Sequence, residues 1–385
     1  MTLKKTVAVV AIVNLSLAVL ATAGFFVHRH YAKQPEQILS QINQAVVNRN
    51  VEMFKKYVDT IGIGGRIADA MITGLIQSYG DYLADLPDGE RIEAVSRLKN
   101  LLDDWRVTMG QDFQRVFDDL PVSSREDRQR RWRLDEKLLK KSRFAGLEEC
   151  LDGIGNWKVV RKVSIGEGAI LTVVASLPDS VFDKLALDLV FEKSAEGHLR
   201  WVEIRNAWDF FQTAARRQYQ WYVSQNEPKR DKIRQAIELT RIERTVVTNA
   251  NFAPRSIQAV LYLKNNSNLP ITSWEGTLEM KNLFGRTMHR LDVAVEETRI
   301  GRGETLSYTF EFKVDPRSSR EDEYLCGSQP DEVKAALWVN GVVYANFDSV
   351  KVPYSEVLND RPTTWDLMRP FADACPAVRR SKPYF

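Results

Sequence analysis

A chain of 385 residues exceeds the size at which a single hydrophobic core usually suffices, and 44% hydrophobic content is enough to build two. The 27% charged fraction argues against disorder, and 54 basic against 51 acidic residues, a formal net charge of +3, exclude the imbalance of a protein devoted to nucleic acid. Cys150, Cys326 and Cys375 are too few for a disulfide framework and form no zinc-type pair. Cys326 and Cys375 are a candidate disulfide that would clip the tail to a second domain; the alternative is three unpaired small hydrophobes.

Residues 6–27 carry no charge and as a helix would span roughly 33 Å, the thickness of a bilayer's hydrocarbon core. Ala21-Thr22-Ala23 offers a signal-peptidase pattern, but the apolar run continues through Gly24-Phe25-Phe26-Val27 to Arg29. That continuation predicts an uncleaved anchor over residues 6–28. Lys4 and Lys5 face Arg29 and Lys33 across it; the expected topology is a cytoplasmic tail at 1–5, a single pass through the inner membrane and the rest of the chain outside. His28 and His30 read as polar residues at headgroup level rather than as metal ligands.

From Pro35 onward Ile38, Ile42, Ala45 and Val46, then Phe54, Tyr57 and Val58, recur at helical spacing around the polar Asn48-Arg49-Asn50. Further helices are expected at 66–86, 89–120 and 124–150. The period then changes to two, predicting strands at 157–163, 168–177, 185–191 and 199–206 before a helix at 208–223. Helices followed by an antiparallel meander describe an α+β domain, residues 33–223.

"PEQILSQINQAVVNRNVEMFKKYVD" (35–59), with "GAILTVVASL", "LALDLVFEK" and "LRWVEIRNAWDFF" downstream, resembles the cone-shaped nuclear-transport-factor-like (cystatin-like) domains of bacterial single-span membrane-anchored proteins of unknown function. Tyr57-Val58-Asp59 matches the corner that ends that family's opening helix pair, and Arg200, Trp201 and Asn206 match its closing strand phrase. The likeness covers about half the chain. The long helical insert at 66–150 departs from the family's compact pattern.

"QNEPKRD" (225–231) is a polar, proline-containing break, and residues 231–241 suit a short connecting helix, giving a linker at 224–243. From 244 to 352 the chain alternates with period two. Ile257, Ala259, Leu261 and Leu263 lie on one face of a strand, and turn signals fall at 265–270, 283–285, 301–303 and Asn340-Gly341. Some seven short strands describe an immunoglobulin-like sandwich, followed by a tail at 353–385. "LYLKNNSNLPITSWEGTLEMKNLFGR" and "IGRGETLSYTFEF" are similar to small bacterial extracytoplasmic sandwiches, which implies that fold and an exterior location but no ligand.

Three constellations invite chemistry. Gly62-Ile63-Gly64-Gly65 lacks both the third glycine of a dinucleotide fingerprint and the lysine of a phosphate loop, and reads as a hinge. Arg128, Arg130, Arg131, Trp132, Arg133, Lys140 and Lys141 form a candidate anionic-surface site, although interspersed acids such as Glu136 give helical ion pairs and a solvated face. Tyr57, Asp59, Trp201 and Asn206 are candidates for a polar couple inside a cone's cavity. No residues have metal-ligand spacing or a nucleophile setting, and no cofactor is implied.

The expected role is therefore a non-catalytic, membrane-anchored binding or scaffold protein of the bacterial cell envelope, its partner another envelope protein, a peptide or a glycan. One alternative is a small-ligand carrier or enzyme using the first domain's cavity. The other is a cytoplasm-facing binder of nucleic acid or anionic lipid through the basic helix.

Overall fold

The structure, a computed structural model, describes residues 34–357 apart from 83, 85–87, 124–126, 128–144, 179, 252, 284–286, 318, 330–331 and 356. The chain divides into two compact units, with the boundary between Arg217 and Gln218.

In the first unit, α1 (Pro35–Val47) starts on a proline and buries Ile38, Leu39, Ile42 and Ala45, a stripe at three- and four-residue spacing. Asn50 caps α2 (Val51–Tyr57) by accepting the Met53 N–H at 2.9 Å. Next come α3 (Thr60–Tyr82) and α4 (Asp88–Asp118), packed against each other. The expected hinge at Gly62-Ile63-Gly64-Gly65 is instead the first turns of α3. A Cβ on Gly64 would lie 2.5 Å from the Gly110 carbonyl oxygen, so the glycines let α3 and α4 approach backbone to backbone. That contact outweighs the cost of roughly 1 kcal/mol that each glycine imposes on a helix.

α5 (Ala145–Asp152) is the described end of the helix expected at 124–150. It leads into four antiparallel strands in sequence order: β1 (Trp157–Ile165), β2 (Gly168–Ala175), β3 (Ala186–Lys193) and β4 (Leu199–Ile204). Strands β2 to β4 bury Leu171, Val173, Leu187, Leu189, Phe191 and Trp201, whereas β1 is an exposed edge.

Residues 207–236 form one helix, α6 (Ala207–Ala236), with Pro228 inside it. The polar break expected at 225–231 and the separate helix at 231–241 do not form. A proline in a helix costs about 3 kcal/mol. Here the neighbouring Asn226 and Arg230 are buried and anchored, Asn226 by its amide to the Tyr354 carbonyl at 2.6 Å and by its Oδ1 to the Tyr354 N–H at 3.0 Å, Arg230 to the Val357 carbonyl.

The second unit continues as antiparallel β structure. One sheet orders β5 (Ile237–Thr248), β6 (Pro254–Asn265) and β9 (Thr305–Lys313). The other runs β11 (Ser349–Lys351), β10 (Lys334–Tyr344), β7 (Ile271–Lys281) and β8 (Thr287–Val295). A short helix, α7 (Arg320–Gly327), is capped by Ser319. Ile257, Ala259, Leu261 and Leu263 from β6 share one apolar core with Trp274, Leu278 and Met280 from β7. Asn340-Gly341, expected as a turn, lies within β10 at a bulge between Val339 and Gly341.

An α+β region followed by antiparallel β-sheets is thus the architecture, but the transmembrane helix of the expected fold class is not supported. Among the described residues no helix is long and apolar enough to cross a membrane. α3 has the length, yet carries Arg66, Asp69 and Asp81; α4 is longer and richer in charge. The span expected at residues 6–28 lies outside the described residues.

Candidate functional site

Of the four residues expected to line a cavity, Tyr57, Asp59 and Trp201 lie at the corner between α2 and β4, whereas Asn206 lies past the far end of β4, beside the start of β3. Val58 bridges to Trp201 in parallel register, and the Asp59 N–H donates to the Trp201 carbonyl at 2.9 Å. Arg200 secures the corner by donating to the carbonyls of Lys55 at 3.1 Å and Val58 at 3.2 Å, two of the acceptors a helix C-terminus leaves open. Asp59 is the N-cap of α3: its Oδ1 accepts the Gly62 N–H at 3.2 Å and its carbonyl the Ile63 N–H at 2.8 Å. Gly62 leaves room beside it: a Cβ there would sit 2.4 Å from Asp59 Oδ2, and the capping carboxylate would have to shift.

Trp201 is fully buried. Its ring meets Phe117 at 5.4 Å and Trp157 at 6.0 Å, both edge to face, and its indole N–H donates to the Glu203 carbonyl at 2.9 Å. Asn206 accepts the Asp188 N–H at 2.8 Å and donates to the Ala186 carbonyl at 3.0 Å, pinning the start of β3. Tyr57 is half-buried, edge-on to His198 at 6.0 Å. The polar atoms of Asp59, Trp201 and Asn206 therefore serve the fold.

Elsewhere in the first unit, burial pushes the Cys150 thiol up to about 12, with Glu149 adding to the shift and Arg217 opposing it. Such a thiol stays protonated and unreactive at neutral pH. Burial also raises the Glu149 carboxyl, against the 2.5 Å hydrogen bond it accepts from Ser180.

One cleft of about 500 Å³ lies between the end of α4 and α5, lined by Arg115, Asp118, Asp119, Glu148 and Asp152 among others. Asp118 takes a hydrogen bond from Gln114 at 3.1 Å on one oxygen; the other is buried with no hydrogen-bond partner among the described residues. None of the four expected cavity residues lines it. No group of three His, Cys, Asp or Glu among the described residues is placed to hold a metal ion.

A second cleft, of about 410 Å³, opens on the outer face of the four-stranded sheet and escaped sequence reasoning entirely. Its lining includes Glu275 and Thr277 from β7, Arg290 and Asp292 from β8, Asn340 from β10, then Lys351 and Ser355. Beside it Glu279, 2% exposed, accepts from Arg290 at 2.7 Å and from the Trp338 indole at 3.0 Å and pairs with Lys281 at 3.1 Å. Burial alone would raise the Glu279 carboxyl, but the Arg290 and Lys281 bonds outweigh it and hold the group below its ordinary value. The signal in the sequence was the alternation Glu275, Thr277, Glu279 between the core residues Trp274, Leu278 and Met280.

The expected anionic-surface residues, Arg128, Arg130, Arg131, Trp132, Arg133, Lys140 and Lys141, lie outside the described residues, as does Cys375. Cys326 is half-buried and has no disulfide partner among the described residues. No protein-family model matches the sequence, and no curated protein matches it.

Proposed function

We propose that this chain is a non-catalytic binding or scaffold protein, its first unit a cone-shaped nuclear-transport-factor-like domain and its second an immunoglobulin-like sandwich. The observation that carries the reading is the packing at Trp201: where a ligand-carrying cone would need an open polar couple, an indole lies between Phe117 and Trp157, and Asp59 and Asn206 are taken up by a helix cap and a strand. Catalytic groups are recognised by shifted acids or bases facing a cleft; the thiol at Cys150 is shifted in the direction that silences it. The likeness of the second unit to extracytoplasmic sandwiches supports a protein, peptide or glycan partner outside the cytoplasm.

The test is cross-linking in intact cells, followed by capture of the chain, beside a thermal-shift screen of small metabolites on the purified protein. A recurrent macromolecular or glycan adduct is expected, and no metabolite whose stabilising effect disappears in Asp59→Asn or Asn206→Ala. A metabolite that binds wild type and is lost in those variants would overturn the reading in favour of a carrier or enzyme.

A further inference from the structure

We propose that the cleft on the outer face of the second unit's four-stranded sheet is a binding site for a neutral saccharide, with Asn340 and Thr277 as its floor and Asp292, Arg290, Lys351 and Ser355 at its rim. The proposal rests on the binding-protein reading above and names the ligand class of a site within it.

The floor is built by the bulge in β10. Trp338 faces Thr277 and Gly341 faces Glu275, so Asn340 is an extra residue that the regular ladder would not place there. Bulges of this kind re-aim a side chain and are enriched beside functional sites. Asn340 and Thr277 are each only 4% exposed.

Their hydrogen bonds run in one direction. The Thr277 hydroxyl donates its single proton to Asp292 Oδ1 at 3.0 Å, so it can only accept from Asn340, whose amide nitrogen lies 3.0 Å away. This fixes the amide orientation and leaves Asn340 Oδ1 buried with no partner among the described residues. An open buried acceptor is costly. Any partner it gains is a donor that enters the cleft it lines, water or a ligand hydroxyl.

Charge and shape narrow the donor. Glu275 and Asp292 balance Arg290 and Lys351, and two of the four are already engaged with each other, Lys351 to Glu275 at 2.7 Å, while Arg290 is held by Glu279 at 2.7 Å. A phosphate finds no unopposed cation there; among the described residues Asp292 accepts only the Thr277 hydroxyl and is left to take a proton from a ligand. A peptide strand cannot add to β7, which is central, its backbone bonded to β10 on one side and β8 on the other; the sheet's open edges are β8 and β11. The apolar lining is small, Val293, Ala294 and Gly276, too little to seat peptide side chains. Hydroxyl groups, each a donor and an acceptor, match the mixed set that remains, and about 410 Å³ is within the range of small-molecule sites.

The full chain is titrated with a panel of neutral disaccharides and N-acetylated amino-sugar oligomers, with acetylated tetrapeptides and inorganic phosphate as competitors. Binding is followed by saturation-transfer NMR and by tryptophan fluorescence, Trp338 being paired with Thr277 across the strands. A neutral saccharide is expected to bind, with affinity reduced about tenfold or more in Asn340→Leu and in Asp292→Asn. Lys351→Met, at an exposed position, is expected to weaken it about threefold, and it keeps the test decisive if a floor variant does not fold. Absence of saccharide binding to wild type, unchanged affinity in the variants, or displacement of the saccharide by tetrapeptide or phosphate would each overturn the site. Its failure is separable from that of the broader reading: loss of the saccharide site with a cross-linked partner still captured leaves a binding protein, whereas a saccharide bound through Asn340 and returned chemically altered supports the site and removes the non-catalytic role.

Discussion

At the α2–β4 corner of the first unit Asp59 caps a helix and Trp201 donates its indole proton to a carbonyl, and past the far end of β4 Asn206 bonds on both amide atoms. On the outer face of the sheet in the second unit, at the bulge in β10, Asn340 bonds through its nitrogen only, and its oxygen is buried without a partner among the described residues. Polar groups of the same kind thus do different things. Where the polar groups bond within the chain, as Asp59, Trp201 and Asn206 do, they specify the fold, although Arg200 Nε at the corner is buried with no partner among the described residues; where one acceptor is left open beside a cleft, an incoming donor can answer it. The polar couple expected from sequence was of the first kind.

The largest expected effect probes the first region. Trp201→Ala removes a fully buried indole from between two aromatic rings, and the first unit should lose about 3–5 kcal/mol in urea unfolding, with the second unit's transition unmoved. A loss under about 1 kcal/mol would mean that the core around Trp201 is loosely packed, and a ligand cavity there would again be open.

The second unit's polar face is probed by pH. Glu279 has its carboxyl held below the ordinary value of 4.5, so its contribution is fully present above that pH and is lost as pH falls through the lower folded value. His289, stacked on Phe312 at 4.0 Å, is also depressed, from 6.5, because burial disfavours its charged form more than Asp322 favours it. Its contribution is present above 6.5 and declines with acidification through its folded value. The second unit should therefore weaken in two steps, His289→Phe abolishing the upper one and Glu279→Gln the lower, and Glu279→Gln should itself cost about 2 kcal/mol at neutral pH. Equal pH profiles for wild type and both variants would show that these groups do not set acid stability.

Periodicity made most elements legible: α1 and α2 around Asn50, the meander from β1 to β4, and the alternating face of β6 are all explicit in the spacing of apolar residues. What misled was punctuation. Gly62 to Gly65, Pro228 and Asn340-Gly341 each signal a break by local propensity, and each lies inside an element, because a close helix crossing, buried anchors at Asn226 and Arg230 and a β-bulge outweigh about 1–3 kcal/mol of intrinsic preference. The second cleft was illegible for a related reason. Glu275, Thr277 and Glu279 alternate as residues on a solvated sheet face would, and only the strands beside them show that Thr277 and Glu279 are buried.

A smaller effect separates capping from catalysis at the corner. Asp59→Ala should cost about 1 kcal/mol, the usual worth of an N-cap, while Asp59→Asn, an equally good cap, should restore nearly all of it. A cap needs only an acceptor oxygen, whereas a general base needs the charge. Failure of asparagine to restore stability would show that the carboxylate itself matters, and would reopen the first unit as a chemical site.

The smallest effect bears most directly on the comparison. Asn340→Leu replaces an amide of similar shape and size with an apolar group, removing the open acceptor along with the single bond to Thr277, whose own proton still goes to Asp292. Loss of one hydrogen bond is offset by relief of one unsatisfied acceptor, so the variant should lie within about 0.5 kcal/mol of wild type. Asn206→Leu in the first unit, which breaks two bonds and leaves the Asp188 N–H and the Ala186 carbonyl without them, should cost about 2 kcal/mol. If the two substitutions prove equally damaging, the Asn340 amide holds its fold together no less than the Asn206 amide does, and the distinction between a closed corner and an open floor disappears.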